Sequence, residues 1–494
     1  MVRGEIMNAA ELFFGFDCSK IPDANISTVT ENASLAHENS VFVCIKGARN
    51  DGHRFASTAY QNGCRFFVAE DSLDLPNDAI VISCSNTRQA LGQLACRFYG
   101  NPSHRMHLIG ITGTKGKTIT AVLLSHILNT NGIPCGYIGT NGIHFGTTRY
   151  ATKNTTPDPV TLQKTLCEMQ NSGVFTAVIE VSSQALLCHR TAGMRFETVC
   201  FTNLSPDHIG PSEHPDFENY KACKMRLFTD FQASTAIVNV DDGTANDILS
   251  VATAERKVTV STCGQAEFKA TAVTPLRTER TVGVAFTASG NGVQTPVALP
   301  LIGTMNVQNA LMAMAVADTC FDITLPVAAN ALQTASVDGR SEVFELSNGA
   351  SVVIDYAHNG MSLHHLLTTL REYEPNRLIV LFGSVGERTK QRRRELGAVA
   401  AELCDLCILT SDNPANEDPT AIIADILTAF EGKKTSYLAI PDRAEAIRTA
   451  VDLTQAGDIL VLAGKGHENY QLIGNEKIPF SEREILADAI KELV

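Results

Sequence analysis

The order of apolar and polar stretches along the chain predicts alternating strands and helices. At residues 108–111 an apolar run leads into a glycine-rich turn, and a helical pattern follows at residues 121–128. Short apolar runs bounded by polar turns recur on both sides of this stretch, with helical periodicity between them. Such alternation is typical of α/β domains built on mostly parallel sheets. We therefore predict an α/β protein.

The same alternation predicts three domains. Residues 1–106 read as a small N-terminal α/β domain, residues 107–337 as a central domain with a mostly parallel sheet, and residues 338–494 as a Rossmann-like, doubly wound domain. A turn-rich stretch at residues 101–103 reads as the first linker. Strands are predicted at 40–45, 65–69, 79–83, 176–181, 198–203, 236–240, 351–354, 377–382, 406–410 and 459–463, with helices at 55–62 and 87–99.

Composition narrows the classes of function. The chain has 494 residues, and its net charge of −13 argues against a nucleic-acid or membrane-surface partner. No apolar stretch long enough to span a bilayer and no signal peptide is recognisable, so we expect a cytoplasmic protein without membrane insertion. The 14 cysteines are scattered, which favours reduced thiols. Cys404 and Cys407 form a lone CxxC pair, and a metal or redox role would need further partners.

The glycine-rich turn lies between a predicted strand and a predicted helix, and the order strand, glycine-rich loop, helix is that of a phosphate loop. Its residues are Gly113, Thr114, Lys115, Gly116, Lys117 and Thr118. Glycines let backbone amides curl around a phosphate, and the helix N-terminus adds its positive dipole end. Lys117 would reach the outer phosphates and the Thr118 hydroxyl would hold Mg²⁺. The strict Walker pattern would have glycine where Ile111 stands, so this is a variant loop; the alternative is an ordinary glycine-rich turn.

Polar residues follow three predicted strands of the central domain. They are Glu180, His208, and the pair Asp241 and Asp242. Because ligands bind beyond the carboxyl ends of parallel strands, we expect these groups to converge near the phosphate loop. Glu180 could hold Mg²⁺ directly or through water, and His208 could ligate a second metal ion. The alternative is a polar pair that makes local hydrogen bonds.

Three further candidates for a functional site can also be explained without any function. Lys224, on an amphipathic helix, is by itself a solvated lysine. The stretch from Asn154 to Asp158 could bind a sugar phosphate or peptide carbonyls, or could be turn chemistry alone. Arg190 is by default an exposed helical arginine.

Taken together, these motifs resemble those of the Mur ligases, ATP-dependent amide-forming enzymes of peptidoglycan precursor synthesis. Within that family the chain is most similar to the UDP-N-acetylmuramoyl-tripeptide synthetases, from about residue 26 to the C-terminus. The motifs in family order are residues 113–118, 154–158, 180–183, 203–208, 355–358, 412–414 and 464–468. Two stretches depart from the family pattern, at residues 32–34 near the expected uracil site and at residues 359–360.

The resemblance implies roles for individual residues. Lys117 and Thr118 would serve phosphate and Mg²⁺, Glu180 and His208 would be metal ligands, and Lys224 would carry CO2 as a carbamate; Lys117, Lys224 and His208 would form the catalytic set. Contacts to ATP are implied for Asn306, Asn309, Arg340 and Asp355. Contacts to the UDP-N-acetylmuramoyl-dipeptide are implied for Asn154, Thr155, Thr156, Ser182 and Arg190. Contacts to the incoming amino acid are implied for Arg388, Asp412, Asn413, Gly464 and Glu468.

The expected reaction is ATP-dependent addition of L-lysine to UDP-N-acetylmuramoyl-L-alanyl-D-glutamate through an acyl phosphate. Lysine is favoured because Ala415 stands where family members that use meso-diaminopimelate typically carry arginine, a strong partner for a carboxylate. Asp412 and Glu468 would supply acidity for the lysine ammonium. The same ligase adding meso-diaminopimelate is the first alternative, and a sister ligase such as folylpolyglutamate synthase is the second. A small-molecule kinase would leave the C-terminal domain unexplained, and a non-catalytic nucleotide-binding regulator would not need Glu180, His208 and Lys224 together.

Overall fold

The computed structural model describes residues 6–16, 21–47, 50–207, 209–210, 213–278, 281–339, 341–387 and 389–492. The chain divides into two compact units, Met1–Lys269 with Met312–Thr324, and Ala270–Leu311 with Leu325–Val494. The predicted division into three domains stays a prediction. Within the described ranges, no helix combines the length and the apolar character needed to cross a membrane.

A four-stranded parallel sheet forms the N-terminal part of the first unit. The elements of this part are β1 (Met7–Asn8), α1 (Ala9–Leu12), β2 (Asn25–Ile26), β3 (Thr28–Thr30), β4 (Ser40–Val43), α2 (Ala56–Gln61), β5 (Phe66–Ala69), β6 (Ile80–Ser83) and α3 (Thr87–Phe98). The sheet order is β3-β4-β5-β6. Alternate residues of β4 and β5 enter two clusters, one with α3 and one with α2. The two inner strands are fully buried because helices cover both faces.

The central sheet carries the phosphate loop. Its elements are β7 (His107–Thr112), α4 (Lys117–Thr130), β8 (Cys135–Gly139), β9 (Gly142–Phe145), β10 (Thr148–Tyr150), α5 (Pro159–Asn171), β11 (Thr176–Glu180), α6 (Ser183–Leu187), β12 (Thr198–Phe201), α7 (Phe217–Thr229), β13 (Thr235–Asn239), α8 (Ala245–Val251) and β14 (Arg256–Ser261). The order β8-β11-β7-β12-β13-β14 is parallel throughout, and β9 and β10 add antiparallel strands beyond β8. β7 therefore lies between β11 and β12, and the carboxyl ends of these three strands adjoin.

Residues 268–299 differ from the predicted alternation of strand and helix. They form β15 (Phe268–Thr278), β16 (Thr281–Gly290) and β17 (Val293–Leu299), followed by α9 (Met305–Phe321) and α10 (Leu325–Leu332). β16 and β17 pair antiparallel around Asn291 and Gly292, whose φ angles are 49° and 79°. Two positive φ angles in a two-residue loop define the hairpin turn that Asn-Gly favours. This dipeptide is the sequence signal that would have identified the hairpin.

The second unit contains a doubly wound sheet. Its elements are β18 (Glu342–Glu345), β19 (Ser351–Asp355), α11 (Gly360–Arg371), β20 (Leu378–Phe382), α12 (Lys390–Leu403), β21 (Leu406–Leu409), α13 (Pro419–Leu427), β22 (Ser436–Ala439), α14 (Arg443–Asp452), β23 (Ile459–Ala463), β24 (Tyr470–Ile473), β25 (Glu476–Pro479) and α15 (Glu482–Glu492). The order is β18-β19-β23-β20-β21-β22, and every pair except the first is parallel. Helices α11, α12 and α13 cover one face, and α14 and α15 cover the other. The α/β fold class, with a mostly parallel central sheet and a doubly wound C-terminal sheet, is confirmed.

Candidate active site

The phosphate loop leaves no space for a side chain at its first glycine. Gly113 has φ 150°, and a Cβ there would lie 1.9 Å from Thr202 Oγ1. Gly116 has φ 85°, and α4 begins at the next residue, Lys117. The helix thus starts inside the loop, with its first backbone amides available to an anion.

The end of β12 holds the loop from the side. Thr114 N donates to Asn203 O and Lys115 N to Asn203 Oδ1, both at 2.8 Å. In return, Thr202 Oγ1 donates to Lys115 O at 2.7 Å and Asn203 Nδ2 donates to the same oxygen at 3.1 Å. Because backbone groups of the loop are held from a neighbouring strand, its curl is fixed by the sheet.

The end of β13 supports the end of β12 in turn. Asn239 Nδ2 donates to Thr202 O at 2.7 Å, and Leu204 N donates to Asp242 Oδ2 at 2.7 Å. The ends of β12 and β13 thus adjoin the phosphate loop, whereas His208, the group predicted after β12, lies outside the described residues, and its place near the loop stays a prediction. Asp242 supports the phosphate loop indirectly, because it accepts a hydrogen bond from the backbone amide of Leu204, which follows β12.

Two lysine side chains donate to one carbonyl oxygen. Lys117 Nζ donates to Gly113 O at 2.8 Å and to Thr114 O at 3.0 Å, and Lys224 Nζ donates to Gly113 O at 2.8 Å. Lys224 is 2% exposed, with its Nζ 4.4 Å from the Tyr220 ring centroid. Burial lowers the pKa of Lys224 well below its ordinary value, and the charge of Lys117 lowers it further. Burial also lowers the pKa of Lys117.

The solvated-lysine interpretation of Lys224 is therefore wrong. The side chain points from the buried face of α7 toward the phosphate loop. An amphipathic pattern identifies a polar residue but cannot show that a lysine lies where the helix meets a loop from another part of the sheet.

Glu180, at the end of β11, is fully buried and accepts four hydrogen bonds. Tyr137 OH donates at 2.6 Å, Thr140 N at 2.9 Å, Thr140 Oγ1 at 3.2 Å and Thr118 Oγ1 at 2.9 Å. Buried carboxylates need partners of this kind. The Thr118 hydroxyl and the Glu180 carboxylate lie in direct contact, and oxygen ligands of these two types are those that Mg²⁺ prefers.

The stretch from Asn154 to Asp158 packs against the end of β11. Thr156 is buried, and its Oγ1 donates to Glu180 O at 2.7 Å while accepting from Ser182 N at 3.0 Å. Thr155 Oγ1 lies 3.2 Å from Thr140 Oγ1. Asn154 is exposed. Thr155, Thr156 and Ser182 are thus brought together beside Glu180.

Arg190 joins the same group from a turn. It follows α6, is half-buried, and donates through Nη1 to Thr156 O at 2.8 Å. The interpretation as an exposed helical arginine is wrong, because α6 ends at Leu187 and the chain turns back toward the sheet.

His214 forms a buried contact that the sequence did not reveal. It is fully buried, with Nε2 2.9 Å from Ser183 Oγ and Nδ1 2.8 Å from Asn219 Oδ1. It joins the segment before α7 to the start of α6. No local pattern marked it, since a histidine between glutamate and proline reads as a loop residue.

In the second unit, Asp355 ends β19 and organises the backbone around it. It accepts from Ser341 N at 2.7 Å and from Ala357 N at 2.8 Å. Asn306 Nδ2 donates to Ile302 O at 2.8 Å, and Asn309 Nδ2 donates to Asn306 Oδ1 at 3.1 Å. Asn306 and Asn309 therefore lie in contact near the beginning of α9.

The ends of β21 and β23 bring four of the predicted acceptor residues together. Lys465 is fully buried and donates to Asn413 Oδ1 at 3.0 Å and to Glu468 Oε2 at 3.1 Å, with Asp412 Oδ1 3.7 Å away. A Cβ at Gly464 would meet Asp412 Oδ2 at 3.0 Å. Sequence reasoning named the two carboxylates but missed the lysine that neutralises part of their charge.

Three predicted site residues, His208, Arg340 and Arg388, lie outside the described residues. Among the described residues, no group of three or more histidine, cysteine, aspartate or glutamate side chains could hold a metal ion. The described cysteines are free thiols, including Cys404 and Cys407.

Family models match three consecutive parts of the chain. The description "Mur ligase family, catalytic domain" matches residues 25–99, "Mur ligase middle domain" residues 111–317, and "Mur ligase, glutamate ligase domain" residues 339–466. The fold and the phosphate-loop site, together with these matches, define an ATP-dependent amide ligase.

Curated relatives can be aligned with almost the whole chain. A UDP-N-acetylmuramoyl-L-alanyl-D-glutamate–2,6-diaminopimelate ligase of Clostridium botulinum is 35% identical over 474 residues, covering 95% of this chain and 96% of that protein. A ligase of the same name from Bacillus velezensis is 37% identical over 481 residues, covering 95% of each. A solved structure with that ligase name aligns with a TM-score of 0.75 at 27% identity, over 99% of each chain. The chain belongs to the Mur ligase family, whose members act in peptidoglycan synthesis.

Gly113→Ala is expected to destabilise the first unit by roughly 2–4 kcal/mol, because overpacking and a disfavoured φ add together. A Cβ at this position would lie 1.9 Å from Thr202 Oγ1. Thermal unfolding and calorimetric titration with ATP would measure the loss of stability and of nucleotide binding. Gly243→Ala is the matched control, since a Cβ there meets nothing within 4 Å. Unchanged nucleotide binding by Gly113→Ala would contradict the role of this glycine.

The depressed pKa of Lys224 predicts a pH-dependent contribution to stability. Between its folded pKa and its unfolded value near 10.5, the unfolded state binds the proton and the folded state does not. The free energy of unfolding should therefore rise with pH across this window, relative to Lys224→Met, and level off above it. Urea unfolding of both proteins at a series of pH values, in buffer free of bicarbonate, measures the difference. Equal pH dependence in the two proteins would contradict the prediction.

Proposed function

We propose that this chain is the ligase that adds meso-2,6-diaminopimelate to UDP-N-acetylmuramoyl-L-alanyl-D-glutamate in peptidoglycan precursor synthesis. The choice of amino acid rests on the curated relatives: their names specify 2,6-diaminopimelate, and their alignments cover 95% of this chain. This revises the expectation of L-lysine, which none of these relatives supports.

The cluster at the ends of β21 and β23 supports the same choice. L-Lysine would be favoured by an acidic pocket, yet Asp412 and Glu468 are already paired with Lys465. The distal carbon of meso-diaminopimelate carries both an ammonium and a carboxylate group. A cluster that contains acidic and basic side chains together matches such a pair of charges better than it matches an ammonium alone.

L-Lysine remains the second candidate because of Ala415. This residue has φ 52° and exchanges backbone hydrogen bonds with the strand at Ile473, and its side chain offers no donor. A distal carboxylate bound there would need a partner from elsewhere, since an unpaired buried charge costs several kcal/mol. Arg388, which we expect to hold the α-carboxylate, would serve either amino acid.

In the proposed reaction, the γ-phosphoryl group of ATP passes to the terminal carboxylate of the dipeptide. The amine of the acceptor attacks the acyl phosphate, an amide bond forms, and inorganic phosphate leaves. Catalysis of phosphoryl transfer is mainly positioning and charge stabilisation. The ammonium group of Lys117, held at Gly113 O and Thr114 O, supports this assignment because it places positive charge at the phosphate loop.

We assign the remaining groups as follows. Phosphates would be bound by Gly113, Thr114, Lys115, Gly116, Lys117 and Thr118. Mg²⁺ would be held by Thr118 and Glu180, with His208 and the carbamate of Lys224 as further ligands, and would neutralise phosphate charge. The dipeptide site would comprise Asn154, Thr155, Thr156, Ser182 and Arg190. Further contacts to ATP would come from Asn306, Asn309, Arg340 and Asp355, and the acceptor would meet Arg388, Asp412, Asn413, Gly464 and Glu468.

The carbamate proposal is supported by the environment of Lys224. Only a neutral amine attacks CO2, and burial beside Lys117 favours the neutral form of Lys224. The product is an anion, which the ammonium group of Lys117 would attract. Modification would therefore relieve the crowding at Gly113 O.

Lys224→Ala is expected to be inactive and to regain part of its activity in millimolar acetate or formate, since a small carboxylate can occupy the space of the carbamate. Steady-state turnover with increasing carboxylate measures the rescue, and chloride at equal ionic strength is the control. Lys221→Ala, a lysine on the same helix that pairs with Asp247, should keep full activity. Full activity of Lys224→Ala without added carboxylate would contradict the assignment of a carbamate to Lys224.

The choice of amino acid is tested by measuring kcat/KM for meso-diaminopimelate and L-lysine side by side with the UDP-linked dipeptide and ATP. We expect a preference for meso-diaminopimelate of at least about a hundredfold, the size of one charge-assisted pair. Folate substrates serve as the control for the sister-ligase alternative. A preference for L-lysine would refute the acceptor proposal and leave the ligase class intact.

A further inference from the structure

A buried arginine links the two strand ends that carry the acceptor cluster. Arg443 is the first residue of α14 and is 1% exposed. Its Nη1 donates to Ser411 O at 3.0 Å and its Nη2 donates to Ala463 O at 2.8 Å. These two carbonyls directly precede Asp412 and Gly464, which lie at the ends of β21 and β23.

The guanidinium is held in place by a glutamate from another helix. Arg443 Nε donates to Glu482 Oε1 at 2.8 Å, and Glu482 is the first residue of α15. Glu482 is 2% exposed, and its Oε2 has no hydrogen-bond partner among the described residues. The charges of Asp412 and Lys465 both act on the pKa of Glu482, which burial raises. The ion pair therefore lies directly behind the acceptor cluster.

Stability alone does not explain this arrangement. A buried ion pair is often replaceable by apolar residues at no loss of stability, so its presence is weak evidence for a stabilising role. A planar guanidinium, however, can hold two carbonyl oxygens and a carboxylate in one fixed geometry, which apolar side chains cannot do. Between β21 and β23 lies β20, so the two strand ends that Arg443 joins are not hydrogen-bonded to each other in the sheet.

We propose that Arg443, oriented by Glu482, is a positioning residue for the acceptor amino acid. It keeps residues 412–413 in register with residues 464–468, so that Asn413, Lys465 and Glu468 stay in contact. The inference rests on the proposed function in that these residues bind the acceptor. It assigns Arg443 no contact with substrate.

The test compares three variants with a matched control. Arg443→Lys keeps a charge for Glu482 but cannot reach both carbonyls. The double variant Arg443→Met/Glu482→Leu removes both charges, so that no unpaired buried charge remains to prevent folding. Glu482→Gln keeps the shape of the acid and weakens its hold on Arg443. Arg377→Met is the control, because Arg377 pairs with buried Asp458 at the amino ends of the same sheet.

We expect Arg443→Lys and the double variant to raise KM for the amino acid about tenfold or more, since small misplacements of binding groups are costly. KM for ATP and for the UDP-linked dipeptide should stay within about twofold, and Glu482→Gln should give a smaller change of the same kind. Arg377→Met should lower the melting temperature without changing KM for the amino acid. An unchanged KM for the amino acid, or equal increases for all three substrates, would overturn the proposal.

Hydrogen exchange provides a readout that needs no turnover. In the Arg443 variants, exchange should accelerate in peptides that contain residues 411–414 and 463–466, and in few others. If the wild-type enzyme used neither diaminopimelate nor lysine, the proposed function would fail, and hydrogen exchange would still decide this inference. Uniform acceleration across the second unit, or none, would overturn it.

Discussion

The structure of the first unit depends on how positive charge is held at one carbonyl oxygen. Lys117 and Lys224 both donate to Gly113 O; Lys224 is buried and Lys117 is partly buried. Burial and the charge of Lys117 lower the pKa of Lys224 well below its ordinary value, so the neutral form of Lys224 is favoured beside the Lys117 ammonium. Hydrogen bonds from the ends of β12 and β13 fix the backbone of the loop around these two lysines. The same arrangement leaves a site suited to a highly charged anion.

The order of the strands brings residues that are far apart in the sequence together at one site. Because β7 lies between β11 and β12, the phosphate loop, Glu180 and Asn203 emerge side by side although they are far apart in the chain. The sheet of the second unit brings residues together in the same way. Asp355 is the last residue of β19, and Asp412 and Gly464 come after β21 and β23, so all three lie at the carboxyl ends of parallel strands. In both units the parallel sheet sets the chemistry at the carboxyl ends, and the helices cover the faces.

Each of the ten strand ranges predicted from the sequence matches a strand of the structure to within two residues at either end, because buried parallel strands appear as short apolar runs. The sequence also predicted which polar residues follow those strands. The prediction did not include the antiparallel hairpin of β16 and β17, although the Asn291–Gly292 dipeptide favours such a turn. The sequence could not predict the burial of Lys224, the contacts of His214 or the pairing of Lys465. Each of these depends on elements that meet only in the folded sheet.

The selectivity of the acceptor pocket illustrates why a short motif is an incomplete guide. A carboxylate is recognised by the net charge and geometry of all groups around it, and one motif position supplies only one of them. Ala415 contributes no charge, but Lys465 supplies a cation from the end of β23. Counting Asp412, Glu468 and Lys465, the cluster carries a charge of about −1 instead of −2, with Lys465 Nζ 3.1 Å from Glu468 Oε2 and 3.7 Å from Asp412 Oδ1. An incoming ammonium therefore competes with Lys465 for the same oxygens, which weakens the electrostatic case for a ligand that ends in an ammonium alone.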